Sequence, residues 1–344
     1  MATSDDNQLS RRTFLTAASG AVVGSSLLGA GWANPATAAA PVPRPMDELG
    51  TPDFKTGEVQ ANGLKFRYVE AGDGPLALCF HGFPDSPWTY RYLMPALAGA
   101  GYRAVAPYMR GYAPTEIPSN GSYRTRDLAH DVAGLRTALG GDGKSVLIAH
   151  DWGAVAAWGG AALEPDGWRR CVIMNIPPLA VIAKFMFDYP AIKREFYWWF
   201  FQMQISNEIV PKDDFAFIEG LWRDWSPGFD PRTELPHAKD CLRDPRNLQA
   251  ALGYYRAFFN PERFATPPTA AEQAEVWGKP LTQRCLYLHG TKDGLFPLDA
   301  QTVQEIPPFM GPGSEVAMVD GVGHFMLVEN PQEVNARILK FLAS

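Results

Sequence analysis

The sequence predicts an α/β protein, built on a sheet of mostly parallel strands with helices on both faces. Three observations carry this. Short runs that are apolar throughout recur between turns: LALCF (76–80), RAVAPY (103–108), SVLIA (145–149), CVIMN (171–175), RCLYLHG (284–290) and EVAMVD (315–320). Strands buried on both faces read this way. Helical stretches lie between them, as in RTRDLAHDVAGLRTALG (124–140), whose apolar residues fall three and four apart and which ends at glycines. Several runs also end in a residue able to do chemistry, and ligands in such sheets bind beyond the carboxyl ends of the strands.

Composition narrows the function. The chain has 344 residues, 46% hydrophobic and 20% charged, with a net charge of −6. That suits a globular enzyme with one large core. After residue 12 no Lys/Arg run suggests nucleic acid or an anionic membrane surface. Cys79, Cys171, Cys241 and Cys285 match neither a zinc site nor a disulfide framework. No obligatory disulfide is expected, a cross-strand Cys171–Cys285 bridge being the alternative.

The first segment, residues 1–38, reads as a targeting signal. SRRTFLTAASGAVVGSSLLGAGWANPATAAAP has a polar start, the Arg11-Arg12 pair, a weakly apolar stretch and small-x-small positions such as Ala36-Thr37-Ala38. The Ser-Arg-Arg-x-Phe-Leu order resembles the twin-arginine export signal, which implies the export machinery as a partner and a periplasmic or extracellular location. So much Gly, Ser and Ala makes a poor membrane span, so no permanent anchor is expected.

A linker over 39–54 leads into the sheet. EVQANGLKFRYVEAG then reads as a hairpin around Asn62-Gly63, which with the six apolar runs makes eight strands. The first part of the core covers 55–175. Between 176 and 280 the strand–helix rhythm stops, and Tyr197, Trp198, Trp199, Trp222, Trp225, Tyr254 and Tyr255 accumulate. This span is expected to be a helical cap inserted after strand 6. The second part of the core covers 281–344.

The chemistry sits at the strand ends. His81-Gly82-Phe83-Pro84 follows LALCF, His150-Asp151-Trp152-Gly153 follows SVLIA, Asp293 follows RCLYL in HGTKDG, and His324 follows EVAMVD in GVGHF. A nucleophile, an acid and a base thus arrive in that order. The order, together with HGFP, MRGY (109–112), HDWGA, GTKDG and GHF, resembles the α/β-hydrolase superfamily over nearly all of 55–344. No Gly-x-Ser-x-Gly occurs; Asp151 stands where the serine would be. An aspartate followed by Trp resembles the branch of epoxide hydrolases and haloalkane dehalogenases.

That resemblance implies roles. Asp151 would attack carbon and form an alkyl ester. His324, oriented by Asp293, would activate water to open it. The backbone amides of Phe83 and Trp152 would form the oxyanion hole, with the bond before Pro84 cis. Asp299 is a rival for Asp293. His81, Pro84, Trp198 and Phe325 would contact substrate, although His81, like His150, flanks its corner and also suits a structural part. No metal and no cofactor are expected.

The leaving group separates the two branches. Dehalogenases usually carry Asn or Glu after His-Gly; Phe83 stands here and its side chain can donate nothing. Epoxide hydrolases use two cap tyrosines. LGYYRAFF points to Tyr255, with Tyr254 as its rival, and FYWWFFQ points to Tyr197. The expected function is therefore hydrolysis of a small apolar epoxide to a vicinal diol. A haloalkane dehalogenase is the alternative, and a ligand-binding protein without turnover is the second.

The export reading is checked by changing Arg11 and Arg12 together to Lys. The variant is expected to remain in the cytoplasm on cell fractionation, because the guanidinium pair is what the machinery reads; unchanged secretion would remove the twin-arginine assignment.

Overall fold

The apolar runs become strands whose burial matches their composition. In a computed structural model that describes residues 54–260, 262, 271 and 276–344, the strands are β1 (Lys55–Ala61), β2 (Leu64–Ala71), β3 (Leu76–Phe80), β4 (Arg103–Pro107), β5 (Val146–His150), β6 (Arg170–Met174), β7 (Cys285–Gly290) and β8 (Glu315–Val319). Every residue of β3, β5 and β7 is buried, whereas β1 and β8 lie at the edges and expose residues to solvent. The expected signal over 1–38, and all but the last residue of the linker, lie outside the described residues.

The eight strands form one sheet in the order β1-β2-β4-β3-β5-β6-β7-β8. Strand β2 runs antiparallel to β1 and β4, and the remaining neighbours are parallel. The chain leaves β3 for β4 on one side, then returns to place β5 on the other. Strand order therefore reverses at β3, which opens a crevice at the carboxyl ends of β3 and β5. The register pairs Phe80 with Ala149, so His81-Gly82-Phe83 and Asp151 emerge side by side.

Helices α1 (Leu93–Gly99), α2 (Thr125–Ala138), α3 (Trp152–Leu163) and α7 (Pro331–Ala343) flank the sheet, α2 packing on α3 and α1 on α7. Between β6 and β7 every described element is helical. The ones that matter here are α4 (Phe196–Phe200), α5 (Lys212–Trp225) and α6 (Pro245–Phe258). The four cysteines are buried and unbridged, although Cys171 and Cys285 are register partners on β6 and β7.

This helical insertion is tied down by buried polar contacts. Glu234 accepts two bonds of 2.7 Å from the Arg91 guanidinium and one of 2.9 Å from the Trp88 indole, while His237 stacks on Trp88 at 3.6 Å. From α6, Tyr254 donates to the Arg110 carbonyl at 2.8 Å and Asn247 to that of Gly111 at 2.6 Å. Helix α5 holds two core loops: the Trp222 indole donates to the Pro84 carbonyl at 3.0 Å and its ring stacks flat on Phe325 at 3.4 Å.

Arg91 and Glu234 are both buried, so removing one strands the other's charge. Glu234→Ala is expected to cost on the order of 3–5 kcal/mol in denaturant unfolding, with the paired change Arg91→Met/Glu234→Leu costing much less. A loss below about 1 kcal/mol in the single variant would mean that the pair does not hold the insertion.

Candidate active site

The site is built around a corner that few residues tolerate. Asp151 ends β5 and begins α3 with φ 51° and ψ −125°, a strained backbone for a residue with a side chain. The corner forms because its neighbours are small. A Cβ on Gly153 would lie 2.3 Å from the Phe80 carbonyl oxygen, and one on Gly82 would lie 2.2 Å from Asp151 Oδ1. Glycine at both places lets the β3 and β5 corners touch. The Phe83 amide then donates to Asp151 Oδ1 at 2.6 Å. The Trp152 amide opens α3, so it has no acceptor within that helix. The Phe83–Pro84 bond is cis, as is Ala113–Pro114.

The residues expected to serve as acid and base, Asp293 and His324, lie behind this corner. His324 Nδ1 donates to Asp293 Oδ2 at 3.0 Å, and its Nε2 lies 3.5 Å from Asp151 Oδ2, beyond a good hydrogen bond. Asp293 is held on every side: Oδ1 accepts from the amides of Leu295 (2.8 Å) and Phe296 (3.1 Å), and Oδ2 accepts from Asn175 at 2.5 Å. His150 holds the base loop by donating from Nε2 to the His324 carbonyl at 2.8 Å. The Trp225 carbonyl at the end of α5 accepts from both Gly294 (2.9 Å) and His324 (3.1 Å).

Burial opposes charge on both partners, but the pair overrides it. The carboxylates of Asp293 and Asp151 raise His324 to about 10 despite its burial. The His324 charge, its hydrogen bond, His289 and Asn175 bring Asp293 down to about 2, again against burial. His150 goes the other way: burial, then the neighbouring His324 charge, lower it to about 3, so it is a neutral donor.

Above Asp151 lies a narrow cavity of about 40 Å³, well below the roughly 150 Å³ that accommodates benzene in an engineered cavity. Lining side chains must therefore shift to admit a substrate. Its walls are apolar, with Val155, Ile176, Leu179 and Met186 among them, and its polar groups are Asp151, Tyr197 and Tyr255 with the indoles of Trp152, Trp198 and Trp277. Both tyrosines are fully buried, which pushes each hydroxyl well above its usual range and keeps it a neutral donor. Their rings meet edge to face at 5.5 Å.

The geometry brings together Asp151, His324, Asp293, Phe83, Trp152, Tyr197, Tyr255 and Trp198. Tyr254 is turned away, its hydroxyl spent on Arg110, and Asp299 is an exposed N-cap accepting from the Thr302 amide. Three expected substrate contacts fall outside the cavity lining. His81 is engaged elsewhere, Nε2 accepting from the amide of Met109, on the loop after β4, at 3.1 Å. Pro84 lies under Trp222, and the Phe325 ring is taken up by stacking on Trp222.

Two residues escaped sequence reasoning. Asn175 stands at the end of the CVIMN run, and its place at a strand's carboxyl end was the available signal. Glu195, which precedes the aromatic run FYWWFF, is buried at 1% exposure with Oε2 3.0 Å from the Tyr197 hydroxyl. A lone acidic residue in REFYWWFF was its signal.

Over most of its length the chain is similar to known proteins. A model described as alpha/beta hydrolase family matches residues 77–337. An epoxide hydrolase of Caballeronia sordidicola is 29% identical, over 85% of this chain and 94% of that protein. Epoxide hydrolase 3 of Mus musculus is 31% identical, over 83% of this chain and 75% of its own length. The crystal structure of epoxide hydrolase A from Mycobacterium thermoresistibile superposes with a TM-score of 0.69 at 26% identity, covering 85% of this chain and 98% of that one.

If Asp151 helps hold the proton on His324, removing its charge must loosen that proton. In Asp151→Ala the His324 ring is expected to titrate at lower pH than in wild type, followed by NMR of the histidine ring signals. An unchanged midpoint would assign the whole effect to Asp293.

Proposed function

The chain belongs to the alpha/beta hydrolase family, and within it we propose an epoxide hydrolase that converts an apolar epoxide and water to a vicinal diol through an ester on Asp151. The observation that carries this reading is the shared cavity: one carboxylate below and two buried phenols, Tyr197 and Tyr255, lining the same space. A carboxylate can displace at a saturated carbon, and a strained ring opens most readily when its oxygen receives a proton as the bond breaks. Phenols held neutral by burial suit that task.

Two half-reactions follow. In the first, an Asp151 carboxylate oxygen bonds to a ring carbon, the ring C–O bond breaks, and the oxygen takes a phenolic proton. Esterification removes the Asp151 charge, one of the two that hold the proton on His324, so the imidazole gives up that proton to make good the one the phenol lost and is then free to act as a base. In the second, His324 takes a proton from water as it attacks the ester carbonyl. The Phe83 amide, already on Asp151 Oδ1, and the Trp152 amide stabilise the oxyanion. Collapse passes the second proton of that water to the departing oxygen, which releases the diol and restores the carboxylate.

The apolar walls favour small apolar epoxides. The dehalogenase alternative lacks a side-chain donor at Phe83. Residues 1–38 support export by the twin-arginine route, so the proposed site of action is periplasmic or extracellular.

Separating the half-reactions tests the mechanism. After brief exposure to styrene oxide, His324→Gln is expected to gain the mass of one epoxide on the peptide holding Asp151, and to stall there. Turnover at the wild-type rate by an unmodified protein would overturn both the base and the covalent ester. Bromide release from 1-bromobutane without diol from styrene oxide would favour the dehalogenase.

A further inference from the structure

The contact between Tyr197 and Glu195 poses a problem for the first half-reaction, because a hydroxyl that donates to a carboxylate has no hydrogen left for the ring oxygen. The two groups are 3.0 Å apart and both are buried. Among the described residues Glu195 Oε1 has no hydrogen-bond partner and no salt bridge reaches the carboxyl group, Arg194 acting on it only at longer range. Asp293 and His324 face it from their loops and Tyr255 from α6. An unpaired carboxylate in such a place is costly, and the group escapes that cost by keeping its proton.

We propose that Glu195 is a proton-supplying positioning residue: its carboxyl O–H donates to the Tyr197 oxygen, aims the phenolic hydrogen at the ring oxygen, and replaces that hydrogen as it leaves. The inference rests on the epoxide-hydrolase reading and extends it. A carboxylic acid is a much stronger acid than a phenol, so in a neutral pair it is the carboxyl that donates. Burial supports this by raising Glu195 well above the usual carboxylate range, the Tyr197 contact and the charges of Arg194 and His324 opposing it and Asp293 adding to it. Among the described residues no carboxyl group hydrogen-bonds to Tyr255, whose hydroxyl interacts with Trp152 and Tyr197 instead. The two phenols are therefore not equivalent, and Tyr197 is the one that can be recharged from within.

The protons balance over the cycle. As the ring opens, Tyr197 gives its proton to the alkoxide and takes one from Glu195, which is left as a carboxylate. Esterification of Asp151 frees a proton from His324, which makes good the loss. The attacking water then supplies two, one to His324 and one to the departing diol oxygen.

The test is single-turnover ester formation from styrene oxide, measured by rapid quench across pH 5–10 in wild type, Glu195→Gln, Glu195→Asp and Tyr197→Phe. Glutamine can donate to the phenol but cannot surrender a proton. Glu195→Gln is expected to slow ester formation at least tenfold at neutral pH, with ester hydrolysis unchanged. The fall in rate that wild type shows as Glu195 loses its proton at rising pH should also disappear. Glu195→Asp should keep that pH dependence, which guards against a folding defect. Adding Glu195→Gln to Tyr197→Phe should cost nothing more. A Glu195→Gln enzyme with the wild-type rate and pH profile would overturn the proposal while leaving the epoxide-hydrolase reading intact. Absence of diol from wild type would overturn that reading instead.

Discussion

Everything at the cavity floor depends on keeping one carboxylate at a strained corner between β3 and β5. Backbone at φ 51° is costly for an aspartate, and the side chain it presents is largely withdrawn from water. The fold offsets this with local means. Glycines on both sides let the corners touch, the Phe83 amide meets the charge, and His324 faces it from the far side.

The charges are arranged in alternation: Asp151, His324, Asp293, with amides and Asn175 closing the far end. A single ion pair this deep would be a poor stabiliser. Here the histidine lies between two carboxylates, and chemistry at one changes what the histidine will do for the other. In the proposed mechanism the base is thereby switched by its own nucleophile, with no movement of the backbone required.

Much of this was legible in the chain itself. Uniformly apolar runs mark strands buried on both faces, and their polar ends in chain order identify Asp151, Asp293 and His324. Tyr255 was legible through its neighbour Arg256, but choosing it over Tyr254 required the packing of α6 on the Arg110 loop. Phe325 misleads because it adjoins His324, yet a flat stack on Trp222 turns it from the cavity. Glu195 left only a faint trace, a lone acidic residue in REFYWWFF. Its importance lies in what is missing around it, and an unpartnered oxygen leaves no trace in a residue pattern. Asn175 and the Trp225 carbonyl act through long-range register and backbone, which carry no periodicity.

The Trp225 carbonyl has a wider bearing. One oxygen at the end of α5 accepts the amides of both Gly294 and His324, so acid and base loops are gauged from a common point on the helical insertion. The insertion is usually thought of as the variable module that shapes what a site accepts, while the core supplies the chemistry. In this chain that division of labour breaks down at residue 225. A chimaera that borrowed a foreign insertion to widen substrate range would also inherit a foreign gauge for the triad. Recombination points that leave residues 225 and 226 with the recipient would separate the two traits, allowing the choice of substrate to evolve without resetting the catalytic alignment.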